Sequence, residues 1–89
     1  MTPGDAARDV VLFVKEGCHL CDAVEATMRS MQGDRTRLTI VDIDTDPALH
    51  DKYWLRIPVV AVGGKDIFEA RMMDLEGRWK KTLASLLKS

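Results

Sequence analysis

Beyond Cys18 and Cys21 the sequence contains no cysteine, so no network of several disulfides can hold it together. A closed zinc site needs four ligands, and Cys18, Cys21 and the neighbouring His19 supply three at most. No apolar run approaches the roughly 20 residues that span a bilayer. Positive charge is not in excess either, with 13 Lys and Arg set against 14 Asp and Glu for a net charge of −1. That balance gives no electrostatic attraction for nucleic acid or an anionic membrane, since both recognise clustered cations. The one basic cluster, "GRWKK" at residues 77–81, reads as the solvated face of a terminal helix. Internal repeats and low-complexity linkers are missing as well. The opening "MTPGDAARD" lacks the charged-then-apolar order of a signal peptide, and residues 1–9 are expected to be a loose leader.

What is present suits one globular domain over residues 10–89. The 89 residues are 46% hydrophobic and 30% charged, and chains of roughly 55–65 residues already fold alone. The expectation is a soluble, cytoplasmic monomer. In a reducing compartment, two nearby cysteines are more often catalytic or metal-binding than structural.

Residues 10–15, "VVLFVK", form a near-continuous run of β-branched and aromatic residues, which fits a central strand buried on both faces. "EGC" breaks it. From His19 onward Leu20, Val24, Met28 and Met31 recur at helical spacing, and Gly33 is a plausible stop. Residues 37–43, "RLTIVDI", read as a second strand. Asp46 can cap a short helix with Pro47 at its first position, running to about Trp54. "PVVAV" (58–62) is a third strand, "GGKD" a hairpin turn and "IFEA" (67–70) a fourth strand. Asp74 then caps a helix whose apolar face is Leu75, Trp79, Leu83, Leu86 and Leu87. The order is β-α-β-α-β-β-α, an α/β chain with a four-stranded mixed sheet. The second strand is expected parallel to the first through a right-handed crossover, the third parallel too, and the fourth an antiparallel edge.

The motif "GCHLC" falls where the first strand gives way to the first helix, the end of an open α/β sheet that usually carries the chemistry. Only a thiolate attacks a disulfide, and a helix N-terminus offers unpaired amides and about half a positive charge. A sulfur at Cys18 meets both, so a lowered pKa is expected there. Cys21 lies one turn on, more covered by the helix and within bonding reach. Cys18 is therefore the expected nucleophile and Cys21 the thiol that resolves the mixed disulfide. Lys15 and His19 are expected to tune the pair in favour of the thiolate, while Glu16, Asp22 and Glu25 oppose it. Leu20 belongs to the surface around the site. In "RIPVV", a proline at a strand's first residue costs little, and its place sets Ile57–Pro58 against the Cys18 loop.

These features together resemble the thioredoxin fold and, within it, small bacterial glutaredoxin-like proteins. The resemblance covers residues 10–88: strand, "GCHLC", helix, "VDIDTD", the "P…L…Y" helix, "IPVV", the "VGGK" hairpin and the last helix. It implies a dithiol disulfide oxidoreductase without a bound cofactor, acting on protein or small-molecule disulfides. Pro58 is then a cis-proline facing the cysteine pair, and Ile57 offers its backbone to an extended substrate. The chain departs from the glutaredoxin pattern in two places. His19 stands where the CPYC motif has proline, and Phe68–Glu69 align with a glycine pair that lets glutathione approach. Bulk and negative charge there oppose glutathione as a co-substrate, which moves the expected partner toward a protein dithiol or disulfide. A thioredoxin reductase system is the other expected source of electrons. Two further classes use the same features: copper or zinc transfer through CxxC, and a thioredoxin-fold binding module without turnover. The copper-chaperone pattern has methionine two residues before the first cysteine, where this chain has Glu16.

Overall fold

The computed structural model describes residues 8–31 and 36–88. Its elements are β1 (Arg8–Val14), α1 (His19–Met31), β2 (Thr36–Asp42), α2 (Pro47–Tyr53), β3 (Val59–Val62), β4 (Lys65–Glu69) and α3 (Trp79–Lys88). Single 3₁₀ turns lie at Ile43–Thr45 and Ala70–Met72. The element order is the one read from the sequence. Arg8 and Asp9, expected in the leader, already belong to β1, where Asp9 stands beside Arg37 of β2 and pairs with it at 3.1 Å. The rest of the expected leader and the Gly33 stop lie outside the described residues.

The strands form one sheet in the order β2-β1-β3-β4. β1 and β2 are parallel, whereas β3 runs antiparallel to β1, and β4 antiparallel to β3. The parallel third strand expected from the sequence is therefore corrected. The thirteen residues of α1 rise about 20 Å and carry the chain back along the sheet. The seven residues of α2 rise only about 10 Å, short of a seven-residue strand's roughly 23 Å. β3 consequently starts at the end where β2 finished. Gly63 and Gly64 both have positive φ, as a two-residue hairpin turn with right-handed strand twist requires.

Alternation along β1 divides the interior into two clusters. Val10 and Leu12 join Val24 and Met28 of α1, Val60, Phe68, and Trp79 and Leu83 of α3. On the other face Phe13 packs with Ile43, Tyr53 and Val59, joined by Leu49 and Ile57, and the Phe13 and Tyr53 rings stack at 4.2 Å. β1 is thus covered on both faces, α1 and α3 lying on one side and α2 on the other. The buried face of α1 is Cys21, Val24 and Met28. Leu20 is 49% exposed, which removes it from the apolar helix face and leaves it on the surface at the helix start.

The last helix begins later than expected. Asp74 still caps it, accepting from the amides of Arg78 and Trp79 at 3.2 and 2.8 Å, but residues 75–78 form the turn that its carboxylate spans. Leu75 is fully exposed rather than part of the apolar face. Near the far end of α3 the Arg8 guanidinium donates to the Leu87 carbonyl. Among the described residues no helix is long and apolar enough to cross a membrane.

Candidate functional site

β1 delivers the chain to a tight turn in which the Cys18 amide donates to the Lys15 carbonyl at 3.2 Å. Gly17 takes φ +82° there, a left-handed value that a side chain resists. The turn makes Cys18 the residue just before α1. Its carbonyl accepts from the Asp22 amide at 3.1 Å, opening the helical ladder, and its sulfur accepts from the Cys21 amide at 3.1 Å. Cys18 Sγ thus does what a serine or aspartate oxygen does at a helix start, taking up one of the orphan donors. The two Cα atoms are 5.2 Å apart and the sulfurs stand at bonding distance, within the range a disulfide spans. Their exposure differs: Cys21 is 2% accessible, whereas Cys18 is only half-buried.

The side chains expected to tune this pair are exposed. Lys15 Nζ lies 3.6 Å from Asp44, both side chains nearly half exposed, so its charge is shared with that carboxylate and screened by solvent. His19 sits exposed in the first turn of α1. Asp44 also lies 4.0 Å from His50 Nε2, and the His50 ring is parallel to that of Trp54 at 6.0 Å. Trp54 is 52% exposed, so it is not a core residue. Cys18 and Cys21 contribute two sulfur donors; among the described residues no third His, Cys, Asp or Glu joins them in a group able to hold a metal ion.

The antiparallel course of β3 brings the second expected segment to the same end of the sheet. Phe13 stands opposite Val59, so one step outward Val14 faces Pro58, where β1 turns toward Cys18. A parallel β3 would have placed Pro58 about 13 Å away, at the other end of a four-residue strand. The Ile57–Pro58 peptide is cis. Pro58 is fully buried, and Ile57 packs against Ile43, Tyr53 and Val59. The Ile57 amide donates to the Tyr53 carbonyl at 3.0 Å, so it is already paired within the protein.

Arg56, directly before this segment, was not singled out by the sequence. Its Nε donates to Glu69 Oε2 at 2.7 Å and its Nη2 to Asp66 Oδ2 at 3.0 Å. The Tyr53 hydroxyl donates to the other Asp66 oxygen at 3.1 Å, and Arg71 donates to Glu69 Oε1. The Arg56 bond, then the Arg71 bond, holds the Glu69 carboxyl below its ordinary range, and the Glu69 bond raises Arg56. The negative charge of Glu69, expected to oppose glutathione, is therefore paired with two guanidiniums. Phe68 is a core residue at 1% exposure, turned away from the surface on which its bulk was expected to act. The available signal was an arginine next to "IPVV" facing a hairpin that carries Asp66 and Glu69, but its meaning depends on strand register.

Strand, capping cysteine, second cysteine one turn on, and a proline-led strand arriving beside them define a thioredoxin-fold protein with a redox-type CxxC pair. Residues 9–85 match the family model Glutaredoxin-like domain (DUF836), and the chain belongs to that family. Glutaredoxin-C13 of Arabidopsis thaliana is 39% identical over 66 residues, taking in 65% of this chain and 62% of that protein; the chain spans less than two thirds of that relative's length. Among solved structures, protein Ne2328 from Nitrosomonas europaea superposes with TM-score 0.67 at 26% identity, over 91% of this chain and 98% of that one. Protein XcR50 from X. campestris gives 0.59 at 33% identity, over 85% and 96%. A thioredoxin mutant from Halobacterium salinarum gives 0.60 at 20% identity, over 94% and 74%, a likeness of fold alone.

Proposed function

We propose that the protein is a dithiol disulfide oxidoreductase in which Cys18 attacks and Cys21 resolves. The observation that carries this reading is the unequal setting of the two sulfurs, Cys18 half-buried at the helix start with an amide aimed at its sulfur, Cys21 covered. The positive end of α1 favours the Cys18 thiolate. That thiolate attacks one sulfur of a substrate disulfide, forming a mixed disulfide and expelling the other substrate sulfur as a thiolate. Cys21, deprotonated in turn, attacks Cys18 Sγ and releases the second substrate thiolate. The substrate gains two electrons and the Cys18–Cys21 pair loses two, so each cycle needs an external dithiol or glutathione to reduce the pair again.

Substrate is expected to lie along the backbone of Ile57, beside Pro58. The exposed apolar surfaces of Leu20, Trp54 and Leu55 favour a polypeptide over a tripeptide, and His19 beside the nucleophile adjusts the potential of the pair. The test is insulin reduction with dithiothreitol or glutathione as electron source. Cys18→Ser should fall to the uncatalysed rate, and Cys21→Ser should accumulate covalent mixed disulfides on non-reducing gels. Retained turnover in Cys18→Ser would refute the assignment.

A further inference from the structure

Arg56 ties the segment bearing Ile57 and Pro58 to the edge strand by main chain and side chain together. Its amide donates to the Tyr53 carbonyl at 2.8 Å, and its carbonyl accepts from Ala70 at 3.1 Å, just past the end of β4. Its guanidinium bonds both Glu69 and Asp66 and lies over the Tyr53 ring, 5.3 Å from its centroid. The fork of an arginine, unlike a lysine ammonium, can hold two carboxylates in fixed directions.

The two carboxylates reach the same side of the sheet through an irregularity. Val60 pairs with Phe68 but Ala61 pairs with Asp66, which makes Ile67 an extra residue in β4. In a regular strand, residues 66 and 69 project to opposite faces. The bulge restores both to the face of Arg56, while Phe68 stays in the core on the other. Bulges of this kind gather at sheet edges and re-aim side chains.

We infer that Arg56 is a positioning residue: through Asp66 and Glu69 it holds the Ile57–Pro58 segment in the place where an extended disulfide substrate lies beside Cys18. The inference rests on the reading of Cys18–Cys21 as a disulfide-exchange pair. A long substrate that runs along Ile57 should depend on the clamp, whereas a small disulfide that reaches only the Cys18 sulfur should not.

Arg56→Met removes both ion pairs while keeping an apolar stem of similar length, and Arg56→Lys retains one charge without the fork. For Arg56→Met the KM for insulin should rise about tenfold, since small misplacement of a bound chain is costly. Its kcat/KM for hydroxyethyl disulfide should stay within about twofold, because that probe needs no such alignment. Arg56→Lys should recover part of the insulin loss. Amide exchange followed by NMR should quicken about tenfold at Ile57 and Ala70 as the local clamp opens, with Val10 and Leu12 unchanged as the control for global unfolding. Unchanged exchange at Ile57 and Ala70, or an equal loss on insulin and the small disulfide, overturns the inference. A wild-type protein inactive on both would instead overturn the disulfide-exchange reading, and the exchange rates would still decide whether Arg56 holds the segment.

Discussion

The carboxylate of Glu69 is shared between the guanidiniums of Arg56 and Arg71, and this sharing sets how the protein responds to acid. A carboxyl held below its ordinary value favours the folded state once it is ionised there and in the unfolded chain. The contribution of Glu69 is thus fully present above the ordinary glutamate value of 4.5 and is lost as pH falls below it. Glu69→Gln should narrow that dependence. In urea titrations the wild type should be more stable than the variant at pH 7, and the gap should close toward pH 3. The gap at neutral pH should be about 1 kcal/mol, below the roughly 1.5–3 kcal/mol of bonds to charged groups, because solvent reaches Arg56, 36% exposed. An equal gap at both pH values would remove the ion pair as its cause. Only part of this was legible from residue identity: Arg71 stands two residues from Glu69 and could be seen to offset its charge, whereas Arg56 reaches it from thirteen residues away.

Among the elements, α2 was the most legible. Asp46 accepts from the Ala48 amide at 2.9 Å and Pro47 occupies the first helical position, as the sequence signal requires. Asp46→Ala should cost about 1 kcal/mol, which lowers the melting temperature by about 4–8 °C in a domain this size; thermal unfolding by circular dichroism checks it. A loss larger than this would indicate that α2 anchors more than its own first turn, through Tyr53. The start of α3 was less legible. Asp74 was identified as its cap, yet the carboxylate reaches amides four and five residues on, a geometry that spacing does not announce. Leu75 fell within a helical apolar pattern and is nonetheless in solvent. Leu75→Ser should change stability by no more than about 0.5 kcal/mol, measured by the same urea titration. The β4 bulge had no signature in the sequence, since the extra residue exists only relative to the strand it pairs with.

For the molecule as a whole, β1 separates two apolar clusters of different size, and their loss should be unequal. Phe68 lies in the larger cluster, tilted against Trp79 with ring centroids 6.0 Å apart. Phe68→Ala should destabilise by about 3–5 kcal/mol, a large share of the roughly 5–15 kcal/mol that holds a domain together. Urea unfolding should show that loss, and a value below about 2 kcal/mol would mean that the cluster collapses around the gap. The same central strand ends at the Cys18 turn, and β3, running against it, begins at Pro58. The site is thus built where two antiparallel neighbours share an end of the sheet.

The sequence by itself determined the kind and order of the elements, the capping of α2, the CxxC at a helix start and the resemblance that led to the family. Each rests on interactions within a few residues or on a period of 2 or 3.6, and these are written along the chain. Tertiary structure alone decided the direction of β3, the exposure of Leu75 and Trp54, the burial of Phe68 and the Arg56–Asp66–Glu69 clamp. Those depend on which segments meet across the sheet and in what register, and a one-residue bulge is enough to move a carboxylate from one face to the other.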